Sequence, residues 1–259
     1  GRSSTRRSIL SKPCAEIRGF AVRMVPSYKK RFWKSAEVRP TERGFAVFLD
    51  DRQLTTPAKA PLEVPTEGLA AEIAQEWLDQ SGNVKPETMP ATRMANSAID
   101  LVSVQFDAVV DMVAEYGGSD LICYRADTPA GLVARQAAAW DPLVNWAETE
   151  LGAPLTVTTG ILPVAQPERS LERLRNTVAD RHPFHLAALH DLVTLSGSLV
   201  VGLSVAANHL GPDGAWNVSR IDENWQIELW GTDEEAQEAA LIKENQFKFA
   251  CRFLKLLHY

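Results

Sequence analysis

The chain has 259 residues, 45% of them apolar and 23% charged, enough to bury a sizeable core in one large or two modest domains. Its longest apolar candidate, 192–210, is interrupted by Ser196-Gly197-Ser198, Gly202, Ser204 and Asn208, so no membrane span is expected. Residues 1–40 carry eleven Lys and Arg against two Glu, which leaves the remainder with sixteen basic and thirty-one acidic residues; that net charge of -15 disfavours nucleic-acid binding by the body.

Residues 1–26 are rich in Arg and Ser with a single acidic residue, a composition shared by organelle-targeting segments and by cloning or processing remnants. Residues 1–30 are set aside as a basic leader or remnant, disordered in part. Cys14, Cys123 and Cys251 are too far apart to read as a zinc pattern or a disulfide framework, which points to a reducing compartment.

The folded part opens at Arg31-Phe32-Trp33-Lys34. Gly44 to Leu49 alternates as a strand, Asp50-Asp51-Arg52 turns the chain, and Gln53 to Thr56 returns it as a hairpin. Leu62, Val64 and Pro65 make a further edge strand. Residues 31–66 thus form a small β-rich domain, too short to hold a core unless it packs against the helical remainder of the chain.

From residue 67 the period changes to that of a helix, and 67–259 reads as a larger, mainly helical domain. Leu69, Ile73, Trp77 and Leu78 predict a first helix, ended by Ser81-Gly82-Asn83. A long helix is predicted over 92–116, with Gly117-Gly118 as its stop. A further helix should start near Pro129 with Thr128 as cap. Its apolar face is interrupted by Gln136, which must be hydrogen-bonded or offered to a partner. Pro142 implies a kink or a fresh start capped by Asp141. Trp140 and Trp146 bracket that break, as core packing or as a binding surface.

Leu155 to Ile161 reads as a short strand or a loop, and Pro167 to Arg181 as a helix. Pro183 to Leu210 is predicted helical, with Gly197 and Gly202 marking a kink, a junction or a close helix contact. Gly211-Pro212-Asp213-Gly214 is a predicted loop. Ser219 is a candidate cap for a helix ended by Gly231, and Thr232 with Glu235 forms a candidate capping box for the last helix, with Ala236, Ala240, Phe247, Ala250 and Leu254 on its inner side. The fold class is α+β.

Catalytic signatures are scarce. The chain has no Gly-rich phosphate loop, no serine elbow and no paired-histidine zinc motif. Ser196-Gly197-Ser198 fits close helix packing better than a nucleophile. His182, His185 and His190, with Asp180 and Asp191, are the one candidate metal cluster, though a third ligand is not evident. Arg125 can pair with Asp120 or Asp127, or bind an anion. Glu228, Asp233, Glu234 and Glu235 surround Gly231, either as favourable charges at a helix start or as an acidic knob beside Trp230. A metal-dependent hydrolase using the histidine or acidic cluster is one alternative; a stable structural subunit of a larger complex is another. Seven tryptophans without an evident active site favour a protein that handles another protein.

Several segments resemble the assembly chaperones of mitochondrial and α-proteobacterial F1 ATP synthase that act on the α subunit. They are RFWK at 31–34, FAVFLDDRQLTTPAKAPL at 45–62, DLICYRADTPAGLVARQAAAWDPLVNW at 120–146, SGSLVVGL at 196–203 and WGTDEEA at 230–236. The resemblance implies a non-enzymatic protein without cofactor or metal. It would bind the free F1 α subunit, keep it from aggregating and release it as the α/β hexamer forms. It implies an important acidic position in the C-terminal region, which falls on Glu234 or Glu235, and it places Arg125, Trp140, Asp141 and Trp146 in the central motif. Candidate partner-binding residues are thus Trp230, Glu234 and Glu235 with those four. A protein monomeric when free is expected, in the cytoplasm of an α-proteobacterium or, alternatively, in the mitochondrial matrix.

Overall fold

Strand β2 (Gly44–Leu49) needs β1 (Ala36–Thr41) on one edge, and the two pair along their length from Ala36 opposite Leu49 to Thr41 opposite Gly44. This is a computed structural model, and it describes residues 30–160 and 162–258; the basic leader falls outside that range up to residue 29. On the other edge of β2, β3 (Arg52–Gln53) sets Gln53 opposite Phe48, and β4 (Glu63–Val64) sets Val64 opposite Phe45. The hairpin and the edge strand are where the alternation puts them. β1 is an addition: Glu37, Arg39 and Pro40 disguise its period, and all three residue types suit an exposed edge.

Thr66 Oγ1 accepts from the Leu69 backbone N at 3.3 Å and so starts α1 (Glu67–Leu78). Helix α1 lies on the sheet. Trp33 Nε1 donates to the Trp77 carbonyl at 3.1 Å, the two indoles meet edge to face at 5.1 Å, and Val47, Leu49, Leu69 and Ile73 are buried around them.

The single helix expected over 92–116 is broken. It consists of α2 (Pro90–Ser97), a π turn at Ala98–Val102, α3 (Phe106–Ala114) and a 3-10 stretch at Glu115–Ser119. The Ser103 N–H donates to the Ala98 carbonyl at 2.9 Å, the five-residue step that lets the apolar stripe run on while the helix axis is interrupted. Glu76 sets where α2 starts: its carboxylate accepts from the backbone N of Ala91 (2.6 Å) and Thr92 (2.8 Å) and from Thr92 Oγ1 (2.7 Å). Burial outweighs those bonds and pushes the Glu76 carboxyl up to about 7.

Tyr124–Arg125 forms β5, parallel to β6 (Thr158–Thr159), so the 155–161 segment does contain a strand, with Ile161 outside the described residues. Between them runs α4 (Ala130–Leu151), closed by Gly152 at a φ of 62°. Pro129 stands at its N-cap, so Thr128 is not the cap, and Pro142 lies inside one uninterrupted helix instead of restarting it.

Helices α5 (Glu168–Ala179), α6 (Pro183–Ser196) and α7 (Leu199–Ala206) come next. The junction expected from the glycines is at Gly197, whose φ is 71°. Gly202 is a close contact: a Cβ there would sit 2.6 Å from Val193 Cγ2 and 3.2 Å from Leu189 Cδ1. Ser198 Oγ accepts from Val201 N at 3.0 Å to cap α7, and fully buried Asp120 accepts from Val200 N at 3.0 Å. Burial raises the Asp120 carboxyl to about 6 despite these bonds.

The chain ends in α8 (Pro212–Ser219), α9 (Ile221–Trp230) and α10 (Glu234–Leu256). Four expectations change here. Pro212 opens a helix where a loop is predicted, because proline suits the first turn. Ser219 closes α8, its hydroxyl donating to the Trp216 carbonyl at 2.7 Å, and does not cap α9. Asp233, without a side-chain capping bond, is the N-cap of α10, so the Thr232–Glu235 box does not form. Ala236 of the expected inner face is exposed, and burial along α10 begins in earnest at Phe247. Among the described residues no helix is long and apolar enough to cross a membrane.

Candidate functional site

Helix α4 is a rack on which α8 and α9 are hung. Trp140, 1% exposed, donates from Nε1 to the Val218 carbonyl at 2.7 Å. Gln136 is buried and doubly bonded: its Oε1 accepts from Ala126 N at 2.8 Å and its Nε2 donates to Asp222 Oδ1 at 2.6 Å. Arg135 forks onto Glu228 at 2.7 and 2.9 Å and lies 4.9 Å from the Trp225 ring centre. Gly131 leaves room for that indole, since a Cβ there would come within 2.7 Å of it.

Arg125 finds neither Asp120 nor Asp127 as its ion partner. It donates from Nε to the Ile122 carbonyl at 2.7 Å and from Nη1 to Asp141 Oδ1 at 2.8 Å, and lies over the Trp140 ring at 5.3 Å. The structural pair therefore ties β5 to α4, sixteen residues along the chain, with the guanidinium nearly buried and the carboxylate exposed. Trp146 is buried and stacks on His209 at 5.2 Å. The structure thus gathers Arg125, Trp140, Asp141 and Trp146 around α4, apart from Trp230, Glu234 and Glu235.

Those three stand at the free ends of α9 and α10. Of the seven tryptophans, five are buried, Trp225 is partly covered, and Trp230 is 78% exposed. Five of the nine large apolar side chains exposed among the described residues fall in one short stretch: Ile227, Leu229, Trp230, Leu241 and Ile242. That clustering sets this region apart from the scattered apolar exposure of ordinary surfaces. Glu234, Glu235 and Glu238 are exposed beside it, at the helix start where carboxylates are favoured. Glu228, a fourth member of the acidic set, is committed to Arg135, which holds its carboxyl below the usual range.

Helix α10 is anchored at one end only. Its C-terminal half is tied to α1 by Arg252 on Glu72 (2.5 Å) and by Thr66 Oγ1 on the Leu256 carbonyl (2.5 Å), and to α8 by Lys248 on Asp213 (2.8 Å). Nearly every residue from Glu234 to Lys243 is exposed. Those ten residues, roughly 15 Å of helix, are left almost uncovered by the rest of the fold. Sequence reasoning singled out Trp230 and the glutamates but missed Ile227, Leu229, Leu241 and Ile242. Leu229 falls on the helical stripe with Ile221 and Trp225 and so reads as inner face, and the other three lie off the predicted stripes, where a lone aliphatic residue carries no signal.

The other candidate chemistry resolves into structure. His182 caps α6 and stacks on Phe184, its ring 6.5 Å from that of His185, while His190 pairs with Asp191 at 3.0 Å. No group of three or more His, Cys, Asp or Glu among the described residues is placed to hold a metal ion. Ser196 and Ser198 are buried, with both hydroxyls engaged by backbone. Burial pushes the Cys123 thiol up to about 12 and that of Cys251 up to about 11, so neither is a ready nucleophile.

A model of the ATP12 chaperone protein family matches residues 30–148. The crystal structure of Atp12 from Paracoccus denitrificans is 50% identical with a TM-score of 0.86, over 89% of this chain and 99% of that one. A protein of Agrobacterium tumefaciens assigned to the chaperones is 38% identical with a TM-score of 0.84, over 88% of this chain and 86% of that one. The mitochondrial protein atp12 of Schizosaccharomyces pombe is 26% identical over 226 residues, 82% of this chain and 77% of its own length. With half its residues shared across nearly the whole of the Paracoccus protein, this chain belongs to the ATP12 chaperone family.

Proposed function

We propose that the protein is an ATP synthase assembly chaperone that binds the F1 α subunit before it enters the α/β hexamer, and that it does so with the free ends of α9 and α10. The observation that carries this reading is that five of the nine large apolar side chains exposed among the described residues fall between Ile227 and Ile242, Trp230 the largest of them, on helix turns that are almost wholly exposed. An unassembled subunit exposes the apolar surface that its neighbour later hides. Covering it recovers roughly 25 cal/mol per Å2, and a tryptophan flanked by aliphatic residues is the usual anchor. Glu234 and Glu235 orient the encounter through charge, and release comes when the β subunit competes for the same surface. Arg125, Trp140, Asp141 and Trp146 serve by fixing α4, and through it α9. Residues 31–66 brace α1 and the anchored end of α10, while residues 67–259 carry the binding surface. The protein acts as a monomer without cofactor, in the bacterial cytoplasm or, alternatively, in the mitochondrial matrix.

The test is capture of the purified protein on three baits: isolated F1 α subunit, isolated β subunit and assembled F1. Retention on free α alone is expected. Retention on finished F1 would make it a structural subunit, and failure to hold α while folded would sink the reading. Addition of excess β to the α complex should then displace the chaperone.

A further inference from the structure

Where α10 rejoins the body it overhangs a groove of about 680 Å3, built by α2, the π turn, α3, α6 and α10. Val109, Val102, Ala187 and Met94 are its buried members and form the floor, while Leu195 and Phe249 are partly exposed along its sides. Ile242 stands exposed at the lip, so the groove is continuous with the free apolar length of α10.

The dimensions select an occupant. Lining residues on α6 run from Ala187 to Leu195 and on α10 from Ile242 to Phe249, which gives walls about 10 to 12 Å long at 1.5 Å per residue. That length accommodates two turns of a helix, whose side chains at i, i+3, i+4 and i+7 lie on one stripe. Two of the chain's four methionines, Met94 and Met112, line it, and unbranched thioethers adapt to differing aliphatic shapes. Helical walls and an apolar floor are the setting in which an amphipathic helix is bound by its apolar face.

Charge narrows the choice. Glu87 and Asp191 are on the rim, Arg93 is the one Lys or Arg among the lining residues, and Glu234, Glu235 and Glu238 lie along the exposed part of α10. An incoming helix with basic residues beside its aliphatic stripe complements this field; an acidic one is repelled.

We propose that the groove is a second contact of the client site and takes an amphipathic α-helix of the client, with two turns of aliphatic side chains inside and basic residues toward the carboxylates of α10. The proposal rests on the reading of the protein as a chaperone of the F1 α subunit.

The experiment places the photo-crosslinking residue p-benzoyl-phenylalanine in the full chain at Thr194, on the exposed groove rim, and separately at Glu42, on the exposed β1–β2 turn outside the groove lining. Each is irradiated with F1 α subunit freshly diluted from denaturant. Thr194→Trp and Asn245→Trp, which fill the groove from opposite walls, are compared with the parent in α capture. The expected result is an α adduct from Thr194 and none from Glu42, mapping to a helical segment with an aliphatic stripe and flanking Lys or Arg. Each filling variant should weaken capture by about tenfold or more at unchanged melting temperature. Adducts no stronger from Thr194 than from Glu42, with filling variants that hold α as the parent does, would overturn the groove while leaving the client reading intact. A mapped segment without stripe or basic residues would overturn the occupant. A parent that holds no α overturns both proposals together. If a filling variant fails to fold, the Thr194 adduct and its map decide alone.

Discussion

Arg135 and Glu228 meet in a forked pair across α4 and α9, Nη1 to Oε1 at 2.7 Å and Nη2 to Oε2 at 2.9 Å, with the Trp225 ring beneath the guanidinium. The pair is exposed, so it adds little to global stability. Its consequence is orientation: it fixes the helix that ends in Trp230.

Arg135→Ala should therefore speed amide hydrogen exchange along α9 while leaving α4 and α7 as they were, and shift the melting temperature by no more than about 4 °C. Uniformly faster exchange through the whole chain would mean the pair supports the fold and not the pose of α9.

Trp230→Ala should leave the melting temperature unchanged, since the side chain is 78% exposed, yet weaken capture of free F1 α by roughly thirtyfold, as for a central tryptophan anchor. Glu234→Lys with Glu235→Lys should slow association, with the loss shrinking as salt rises. Titration of α against immobilised parent and variants reads both; equal affinity for all three would remove the helix ends from the binding surface.

Glu76 gives a pH dependence with a definite sign. Its folded pKa of about 7 lies above the ordinary 4.5, so the native state holds the proton more tightly than the unfolded chain. The site's contribution is therefore greatest below about 4.5 and falls as pH rises through 7. Glu76→Gln removes this titration. Between about pH 5 and pH 8 the parent should lose stability relative to the variant by on the order of 3 kcal/mol, whatever constant offset the amide introduces. Parallel denaturation midpoints across that range would refute the assignment.

Gly202→Ala should destabilise by about 1–3 kcal/mol, because the new methyl collides with Val193 and Leu189 and a helix interior cannot yield freely. The preference of helices for alanine predicts the opposite sign, so equilibrium denaturation separates the two.

Trp140→Phe removes the donor that Val218 accepts from at 2.7 Å and should cost about 1–3 kcal/mol, with α8 loosened first. Exchange in α8 that stays at the parent's rate would show that the indole only fills space.

Much of the fold could be read from the chain. Alternation and the Asp50-Asp51-Arg52 turn marked the hairpin, Gly197 the helix junction, and Gln136 a polar residue whose burial demanded partners. Features that escaped reading depended on partners distant in sequence. Glu76 decides where α2 starts, and nothing near Pro90 announces it. The apolar stripe of 92–116 continues through the π turn, so its period cannot disclose the break. Arg125 has nearer carboxylates than Asp141 along the chain, and only the placement of β5 beside α4 chooses between them. Trp230 and the glutamates drew notice as residue types, whereas the groove draws its lining from segments over a hundred residues apart and leaves no local trace.

The free ends of α9 and α10 also bear on how the protein treats its own kind. An exposed apolar surface is also open to the same surface on another copy of the chain. Residues 221–242 contain seven acidic residues and not one Lys or Arg. Two copies brought end to end would press like charges together within a Debye length of about 8 Å, while a basic segment would be drawn in. On the proposed reading, the turns of helix that take hold of a client are thus the ones whose charge opposes pairing of one copy with another.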